Sequence, residues 1–298
     1  MTQNVERANS RLGNIQSIEP LLSSLRTISM GTWQIALNKI TKVNQCEAFY
    51  DEILDQILPQ LKHPSRLVNK PNKSSQPEIA EAIILLIGSE RGLCGKFNEN
   101  LLNKTIQWIN TQNFSSYEIW TMGSRMIKEL EQRDINFSWR TQLSSSEVPS
   151  FHSAYRLCQN WLTQYETHAF SHFWVIFNKI ANGNRYAFST FELLPHQIRN
   201  SSKFKAGNES KWPPAIIETN PKGIFQKIIQ YKIATNFFRT LLESAAAEHA
   251  SRFTLMQDAK KNAEEIIEEL ELLINAERKR KITQEIQELA SAAGLLDN

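Results

Sequence analysis

Apolar residues recur every three or four positions near the N-terminus, which is the spacing of one face of an α-helix. The pattern extends from about Val5 to Leu61 without any strand-like alternation. Pro20 lies inside it and lacks the amide proton that a helix interior needs, so we expect a kinked helix or a helix whose first turn contains the proline. The segment before Pro20 is then a bent extension or a separate turn.

The C-terminal region contains no proline from Gly223 to Leu296, and its apolar residues keep helical spacing. The pattern predicts one helix of about 70 residues, roughly 100 Å long at the usual rise per residue. A helix of that length needs a partner, and the N-terminal helical region is the only candidate in the chain. We therefore predict an antiparallel coiled coil of the two termini, which is irregular because no heptad is strict.

The middle of the chain alternates between strand and helix patterns. Strands are predicted at Ala82–Gly88, Tyr117–Met122, His172–Ile180 and Tyr186–Leu194, and helices at Asn98–Asn110, Gly123–Arg133 and Phe151–Glu166. The last two strands flank Ala181-Asn-Gly-Asn184, a strong turn signal, and are predicted to form a hairpin. The order of strands and helices is typical of βαβ units and predicts a Rossmann-like α/β domain.

These patterns divide the chain into four parts within an α/β fold that also carries a long coiled coil. The predicted parts are an N-terminal helix at 1–68, a linker at 69–80, a central α/β domain at 81–220 and a long C-terminal helix at 221–298. The linker is assigned by its Pro, Asn, Lys and Ser content, and a second polar stretch, Ser201–Pro214, is predicted to be a surface loop.

Composition narrows the classes of function. The formal net charge of +3 is too small to indicate nucleic-acid binding, and the scattered Trp and Tyr residues form no stacking platform. No apolar run approaches the ~20 residues of a membrane helix, and the first residues lack the apolar region of a secretory signal. Three widely spaced cysteines indicate a reducing compartment without a disulfide framework, and the histidines show no metal-ligand spacing. We expect no cofactor and no metal site.

A glycine-rich segment, Gly88–Lys96, follows a predicted strand and precedes a predicted helix, where phosphate-binding loops occur. A Walker A loop would need glycine at Glu90 and Ser or Thr at Phe97, and the glycine spacing does not match a dinucleotide fingerprint either. We therefore favour a structural or subunit-contacting loop over a ligand loop. Glu90 and Arg91 are candidates to cap a helix or pair with a neighbour, and Cys94 is either a reactive thiol or, the interpretation we favour, a small buried residue.

Three segments resemble the gamma subunits of F-type ATP synthases. The first is Ile84–Asn98, which reads as the family's apolar strand followed by Arg91-Gly-Leu-Cys-Gly95. The second is Glu243–Ala263, which matches a family signature of Glu-Ser, Arg, Met and Asn-Ala. The third is Asn275–Glu285, in which Arg278 and Ile282-Thr-Gln-Glu285 match the final helix. The same layout of helix, α/β domain and long helix covers essentially the whole chain.

The resemblance implies a non-catalytic subunit that acts as the central rotor shaft and couples proton or sodium flow to ATP synthesis or hydrolysis. It implies alpha and beta subunits around the shaft, an epsilon subunit and a membrane c-ring at its foot, and a peripheral position on the cytoplasmic face of an energy-transducing membrane. Carried over by position, the implied partner contacts are Arg278, Lys279, Thr283, Glu285 and Met30, and the implied loop motif is Glu90, Arg91, Gly92, Cys94 and Gly95.

The N-terminal helix departs from the family pattern. A basic residue of the family is replaced by Pro20, a lysine expected to face the catalytic subunits is replaced by Thr32, and Gln34 and Ala36 stand where the family has further basic residues. These differences indicate a divergent gamma subunit of the kind that would serve a second, alternative ATPase. Two other hypotheses remain: an α/β nucleotide-binding enzyme that uses the Gly88–Lys96 loop, and a coiled-coil scaffold without a rotary role.

Overall fold

The computed structural model describes residues 2–58, 61, 67, 82–112, 114–143, 148–181, 186–196 and 220–292. The predicted linker at 69–80, the predicted loop Ser201–Pro214 and residues 182–184 of the predicted hairpin turn lie outside the described residues. The elements, in chain order, are α1 (Thr2–Ile57), β1 (Ala82–Ile87), α2 (Phe97–Thr111), β2 (Tyr117–Met122), α3 (Ser124–Gln132), β3 (Trp139–Thr141), α4 (Phe151–Glu166), β4 (His172–Ile180), β5 (Tyr186–Leu194) and α5 (Pro221–Ala292).

The chain divides into two compact units. The terminal unit comprises Met1–Ser29 and Arg252–Asn298, and the central unit comprises Met30–Ser251. In the terminal unit, the beginning of α1 and the later part of α5 are joined by an ion pair, in which Lys260 Nζ lies 3.0 Å from Glu19 Oε1. Few apolar side chains are buried in this unit, and two of those that are, Ala8 and Ala263, are small.

Both long helices are present, but α1 passes through Pro20 without interruption. The prediction that Pro20 would mark a first turn is wrong, because the helix already begins at Thr2. Pro20 and Gln16 are both exposed, so water can satisfy the Gln16 carbonyl that lacks an amide partner. The predicted C-terminal helix is confirmed and begins with Pro221 in its first turn, where a proline costs no hydrogen bond. The Asn220 side chain caps this end by accepting from the Lys222 N–H at 3.0 Å.

The central unit is built on a five-stranded sheet in the order β3-β2-β1-β4-β5. The first four strands are parallel, and β5 runs antiparallel to β4, as the predicted hairpin requires. Every residue of β1, Ala-Ile-Ile-Leu-Leu-Ile, is buried because this strand lies at the centre of a sheet that is covered on both faces. The sequence analysis missed β3, a three-residue edge strand that pairs only with β2.

Two layers of helices cover this sheet. On one face, Ile84 and Leu86 of β1 pack in a cluster with buried residues of α2 and α3. On the other face, Ile83, Leu85 and Ile87 belong to the larger core, to which α4 and the central-unit parts of α1 and α5 contribute. Within this unit α1 and α5 run antiparallel, because the later residue of α1, Asp51, pairs with the earlier residue of α5, Lys232, while Glu47 pairs with Arg239.

Candidate interaction sites

The Gly88–Lys96 loop lies at the point where a sheet of this kind normally binds a ligand. In open α/β sheets, ligands occupy the crevice beyond the carboxyl ends of the strands, where the strand order changes direction. Here the chain adds β2 and β3 on one side of β1 and then places β4 on the other side, so the change falls between β1 and β4. The loop follows β1 directly and leads into the N-terminus of α2.

Helix α5 fills this crevice. Ala247 of α5 forms a small buried cluster with Cys94 of the loop and Phe97 of α2, and Ile180 and Tyr186 pack against it. Ser251, one turn further along α5, donates a hydrogen bond from Oγ to the Cys94 carbonyl oxygen at 3.1 Å. The loop therefore binds a helix of its own chain at the place where nucleotide-binding relatives of the fold would hold phosphate.

Buried amide side chains keep the loop in this conformation. The Ser89 N–H donates to Asn98 Oδ1 at 2.9 Å, and Asn98 Nδ2 donates back to Ser89 Oγ at 2.8 Å. Asn178 of β4 donates to the Phe97 carbonyl oxygen at 3.1 Å, while the Phe97 ring meets Tyr186 edge-on with centroids 5.0 Å apart. Since these polar groups are buried, each satisfied hydrogen bond avoids a desolvation cost of about 1–3 kcal/mol. The beginning of the loop is thus hydrogen-bonded to α2, and the first residue of α2 is hydrogen-bonded to β4.

Glu90 joins the loop to its neighbours on the other side. Its carboxylate accepts the Ser124 N–H at 3.1 Å and the Leu143 N–H at 2.8 Å, and it also accepts the Ser124 hydroxyl. Ser124 is the first residue of α3, so the negative charge meets the positive end of the helix dipole. The Glu90 carboxylate therefore caps the N-terminus of α3, which is one of the two roles that the sequence left open for Glu90 and Arg91.

The remaining loop residues differ in exposure. Arg91 and Gly95 are exposed, Gly92 is half-buried, and Cys94 is buried, which agrees with our preference for a buried thiol over a reactive one. Gly95 has φ +60°, a left-handed conformation that favours glycine. A Cβ at Gly92 would lie 3.2 Å from the Arg125 guanidinium, the flexible end of a long side chain that a small shift would move away.

The partner contacts implied on the long helices lie elsewhere. Arg278, Lys279, Thr283 and Glu285 are all exposed residues of α5 in the terminal unit, and Met30 is an exposed residue of α1 in the central unit. Thr283 Oγ1 donates to the Lys279 carbonyl oxygen at 2.9 Å, which leaves the hydroxyl oxygen able to accept a further bond. Four of these five residues therefore belong to the terminal unit, whereas Met30 and the loop motif belong to the central unit.

Sequence reasoning missed an apolar surface on the same part of α5. Ile282, Ile286 and Leu289 are 50, 60 and 70% exposed. Their spacing of four and three residues places them on one face of the helix, which we call the apolar stripe. Exposed apolar residues that are contiguous in this way indicate a surface that is covered by another molecule. The signal was present in the sequence as helical spacing, but only the structure shows that no residue of the described chain covers it.

A buried lysine and a buried histidine lie near the end of β5. Lys232 of α5 is buried and pairs with Asp51 of α1, whose side chain is partly exposed. The His196 ring is also buried, and within the described residues neither ring nitrogen has a hydrogen-bond partner. Burial lowers the pKa of His196 to about 4; Lys232 adds to that effect and Asp51 opposes it. His196 is therefore neutral at physiological pH.

The fold and these sites define a class of protein. Its α/β domain holds a helix of its own chain in the ligand crevice, and α5 leaves the apolar stripe exposed. Both features are typical of a protein that binds other macromolecules. Among the helices of the described residues, none is long and apolar enough to cross a membrane.

Comparisons with known proteins identify the family. A sequence model of the family described as ATP synthase matches residues 4–296. A curated ATP synthase gamma chain from Fusobacterium nucleatum is 23% identical over 98% of this chain and 99% of its own length. The gamma chain from Rubrobacter xylanophilus is 24% identical over 96% of this chain and 99% of its own length. The chain belongs to the ATP synthase family as a gamma-type, non-catalytic subunit, which confirms the resemblance seen in the sequence.

Solved structures agree with the fold. A chain of the Euglena gracilis mitochondrial ATP synthase rotor matches with a TM-score of 0.61 and 12% identity, over 95% of this chain and 100% of that one. A chain from the central stalk and c-ring of the Tetrahymena thermophila mitochondrial enzyme matches with a TM-score of 0.55 and 17% identity, over 80% of this chain and 99% of that one. The predicted fold class, two long helices with a central α/β domain, is confirmed.

Proposed function

We propose that this chain is a rotor shaft that couples transmembrane ion flow to ATP synthesis or hydrolysis in a catalytic head. The observation that carries the proposal is the apolar stripe Ile282, Ile286 and Leu289 on the exposed face of α5. Covering an Ile or Leu side chain contributes about 1.5–3 kcal/mol, so this face gains substantially from an enclosing partner. The partner proposed is the ring of alpha and beta subunits.

Charged and polar residues on the same stretch of α5 supply specificity. Arg278, Lys279, Thr283 and Glu285 are exposed there and are proposed to meet the catalytic subunits, together with Met30 of α1. Exposed charges of both signs steer and orient an encounter more than they strengthen it. An asymmetric surface of this kind contacts each catalytic subunit differently as it turns. Such differential contacts shift the conformational populations of the catalytic sites in turn.

The central unit is proposed to connect this helix to the ion-driven part of the complex. Its α/β domain is proposed to contact an epsilon subunit and a membrane c-ring on the cytoplasmic face of the membrane. The filled crevice supports this role, because Cys94 and Phe97 pack on Ala247 and a Ser251 hydrogen bond joins the loop to α5. A load applied to the domain then reaches α5 through packed side chains and backbone contacts.

Purification of the tagged chain from its own host tests the proposal. We expect alpha and beta subunits to co-purify, each in near three-to-one excess over this chain. A chain that purifies alone, self-associated or with a small molecule bound, would contradict the rotor proposal and favour the scaffold or the enzyme.

A surface variant tests the residues that carry the proposal. We expect the triple variant Ile282→Ser, Ile286→Ser, Leu289→Ser to assemble with fewer alpha and beta subunits or to pump fewer ions per ATP hydrolysed. The matched control is Ile106→Ser on α2, an exposed residue of the central unit. Wild-type assembly and coupling in the triple variant would show that the stripe is not the contact.

A further inference from the structure

Two tyrosines of the central unit lie ring against ring. Tyr155 of α4 and Tyr231 of α5 have ring centroids 5.2 Å apart and an interplanar angle of 22°, which is a stacked geometry. The Tyr231 side chain is 39% exposed and Tyr155 is half-buried, so solvent reaches the pair. The two residues come from helices far apart in the sequence, so their approach is a product of the tertiary fold.

The surroundings hold the pair in place. Phe151, one turn before Tyr155, lies 6.0 Å from the Tyr155 ring and meets Phe238 of α5 edge-on at 5.6 Å. The ring contacts Phe151–Phe238 and Tyr155–Tyr231 thus join α4 to α5 at two positions one helical turn apart on α4. Burial and a hydrogen bond with the Tyr231 hydroxyl raise the pKa of Tyr155, which keeps it a neutral phenol at physiological pH.

The thiol closest in sequence to the pair is poorly placed to intercept oxidants. Cys158 lies one turn after Tyr155 on α4, but its side chain is buried. Burial also raises the pKa of the Cys158 thiol far above physiological pH, and a protonated thiol reacts slowly. Tyr50 of α1 and the exposed thiol of Cys46 also lie in this region, since Tyr50 interacts electrostatically with both Cys46 and Tyr231. The stacked contact between the rings of Tyr155 and Tyr231 is what distinguishes this pair from those groups.

We propose that Tyr155 and Tyr231 form an oxidative cross-linking site, at which hydrogen peroxide and a haem peroxidase join the two rings as dityrosine. Each phenol gives one electron and its hydroxyl proton to the oxidised haem, and the two phenoxyl radicals form one bond between their ortho carbons. The two ortho hydrogens then move to the oxygens as the rings become aromatic again. In sum, the protein loses two hydrogen atoms and one hydrogen peroxide is reduced to two water molecules.

The geometry explains why these two rings should couple with each other. The stacked rings have centroids 5.2 Å apart and are held by two packed helices, so the coupling needs no diffusion of one radical to another. Prealigned groups of this kind react with effective molarities far above any achievable protein concentration. Coupling within the chain should therefore exceed coupling between chains when the protein is dilute. The site is a property of the central unit and does not depend on the proposed rotor function.

The test uses the purified full-length chain with horseradish peroxidase and limiting hydrogen peroxide. After trypsin digestion we expect a peptide of residues 141–156 joined to a peptide of residues 228–232, with two hydrogens fewer than their sum. Dityrosine fluorescence should appear in a product that migrates as a monomer. Absence of this joined pair, or dityrosine confined to dimers of the chain, would overturn the proposal.

Single substitutions assign the product to the pair. Tyr155→Phe and Tyr231→Phe retain a ring that can stack but cannot form a phenoxyl radical, and each should lower the monomeric dityrosine signal by at least about tenfold. The matched control is Tyr186→Phe, whose ring packs on Phe97, and it should leave the signal unchanged. Circular dichroism of each variant shows whether it has folded, and an undiminished signal in folded Tyr155→Phe would assign the product to other tyrosines.

Discussion

The two units of this protein bury their apolar residues to very different extents. The central unit has a sheet covered on both faces, with a core that contains Phe173, Phe237 and Tyr165 among its fully buried side chains. The terminal unit buries little more than Ala8, Met256, Ala263 and Ile274 and leaves an entire face of α5 exposed. The central unit therefore has the buried core of an independent domain. The terminal unit lacks such a core, and its exposed apolar residues indicate a surface that other molecules cover.

The polar contacts differ in the same way. In the central unit, Arg239 is partly buried between Glu47 and Glu243, and buried amides hold the Gly88–Lys96 loop. In the part of the terminal unit that the structure describes, most ion pairs lie between residues three or four apart on α5, such as Lys281 with Glu285 at 3.7 Å. Such exposed pairs add little stability. The comparison leads to four predictions, which run from the largest expected effect to the smallest.

Truncation of the central core should have the largest effect. Phe173→Ala removes a fully buried ring that packs on Trp161 and Trp120, and we expect it to lower the free energy of unfolding by about 3–5 kcal/mol. Denaturant titration measures the change. The matched control, Leu289→Ala in the apolar stripe, should change the isolated chain by about 0.5 kcal/mol or less. Equal losses in the two variants would refute the contrast between the units.

Acidification should weaken the central unit through His196. Its pKa is about 4 in the folded chain and 6.5 ordinarily, so the unfolded chain binds more protons in this interval. Stability is therefore fully present above pH 6.5 and falls as the pH drops towards 4, by about 3 kcal/mol in total. His196→Met should remove that part of the pH dependence, as measured by denaturant titration at pH 7 and pH 4. The control His152→Met, at an exposed site, should retain the wild-type pH dependence.

Removal of the amide that holds the loop should have a moderate effect. Asn98→Ala leaves the Ser89 N–H without its buried acceptor and removes one of the two donors to the Ser89 hydroxyl oxygen, the other being the Cys94 thiol. The loss should cost about 1–3 kcal/mol. Asn110→Ala, at an exposed position of the same helix, is the control and should be close to neutral. Thermal unfolding of the two variants compares them. A neutral Asn98→Ala would mean that the loop is held by apolar packing alone.

Loss of the interhelical ion pair in the terminal unit should have the smallest effect. Lys260→Gln removes the contact with Glu19 at 3.0 Å, but the lysine is only partly buried, so solvent and salt screen the pair. We expect the thermal midpoint to stay within experimental error at physiological ionic strength. A clear drop in the thermal midpoint that vanishes in high salt would contradict this prediction. It would show that the ion pair stabilises the terminal unit substantially although solvent reaches it.

Much of the fold follows from local patterns. The predicted bounds of β2, α4, β4 and β5 agree with the structure, because their apolar spacing and flanking turn residues are local signals. The sequence analysis did not predict β3, because three residues are too few to show an alternation of apolar and polar side chains. Trp139–Thr141 forms a strand through its pairing with β2. At Pro20 the sequence left open a kinked helix or a helix that begins at the proline, and the structure excludes only the second, because α1 already begins at Thr2.

For the candidate sites too, local features could be predicted from the sequence and contacts between distant residues could not. The sequence located the Gly88–Lys96 loop and showed that it fails as a phosphate loop, but Ala247 and Ser251, which fill the crevice, lie some 150 residues away. It also showed helical spacing at Ile282, Ile286 and Leu289 without showing whether the chain covers them. The contacts proposed for Arg278, Lys279, Thr283 and Glu285 rest on the resemblance and remain predictions.

The amino-acid sequence by itself determined the two long helices, the α/β order between them and the family. Periodicity and short motifs depend only on residues that are close together in the chain. The tertiary structure alone decided that α5 occupies the ligand crevice, that Tyr155 stacks on Tyr231 and that His196 lies buried near Lys232 and Asp51. The physical reason is that contacts between residues far apart in the chain depend on how whole elements pack, and packing responds to the shapes of all the side chains at once.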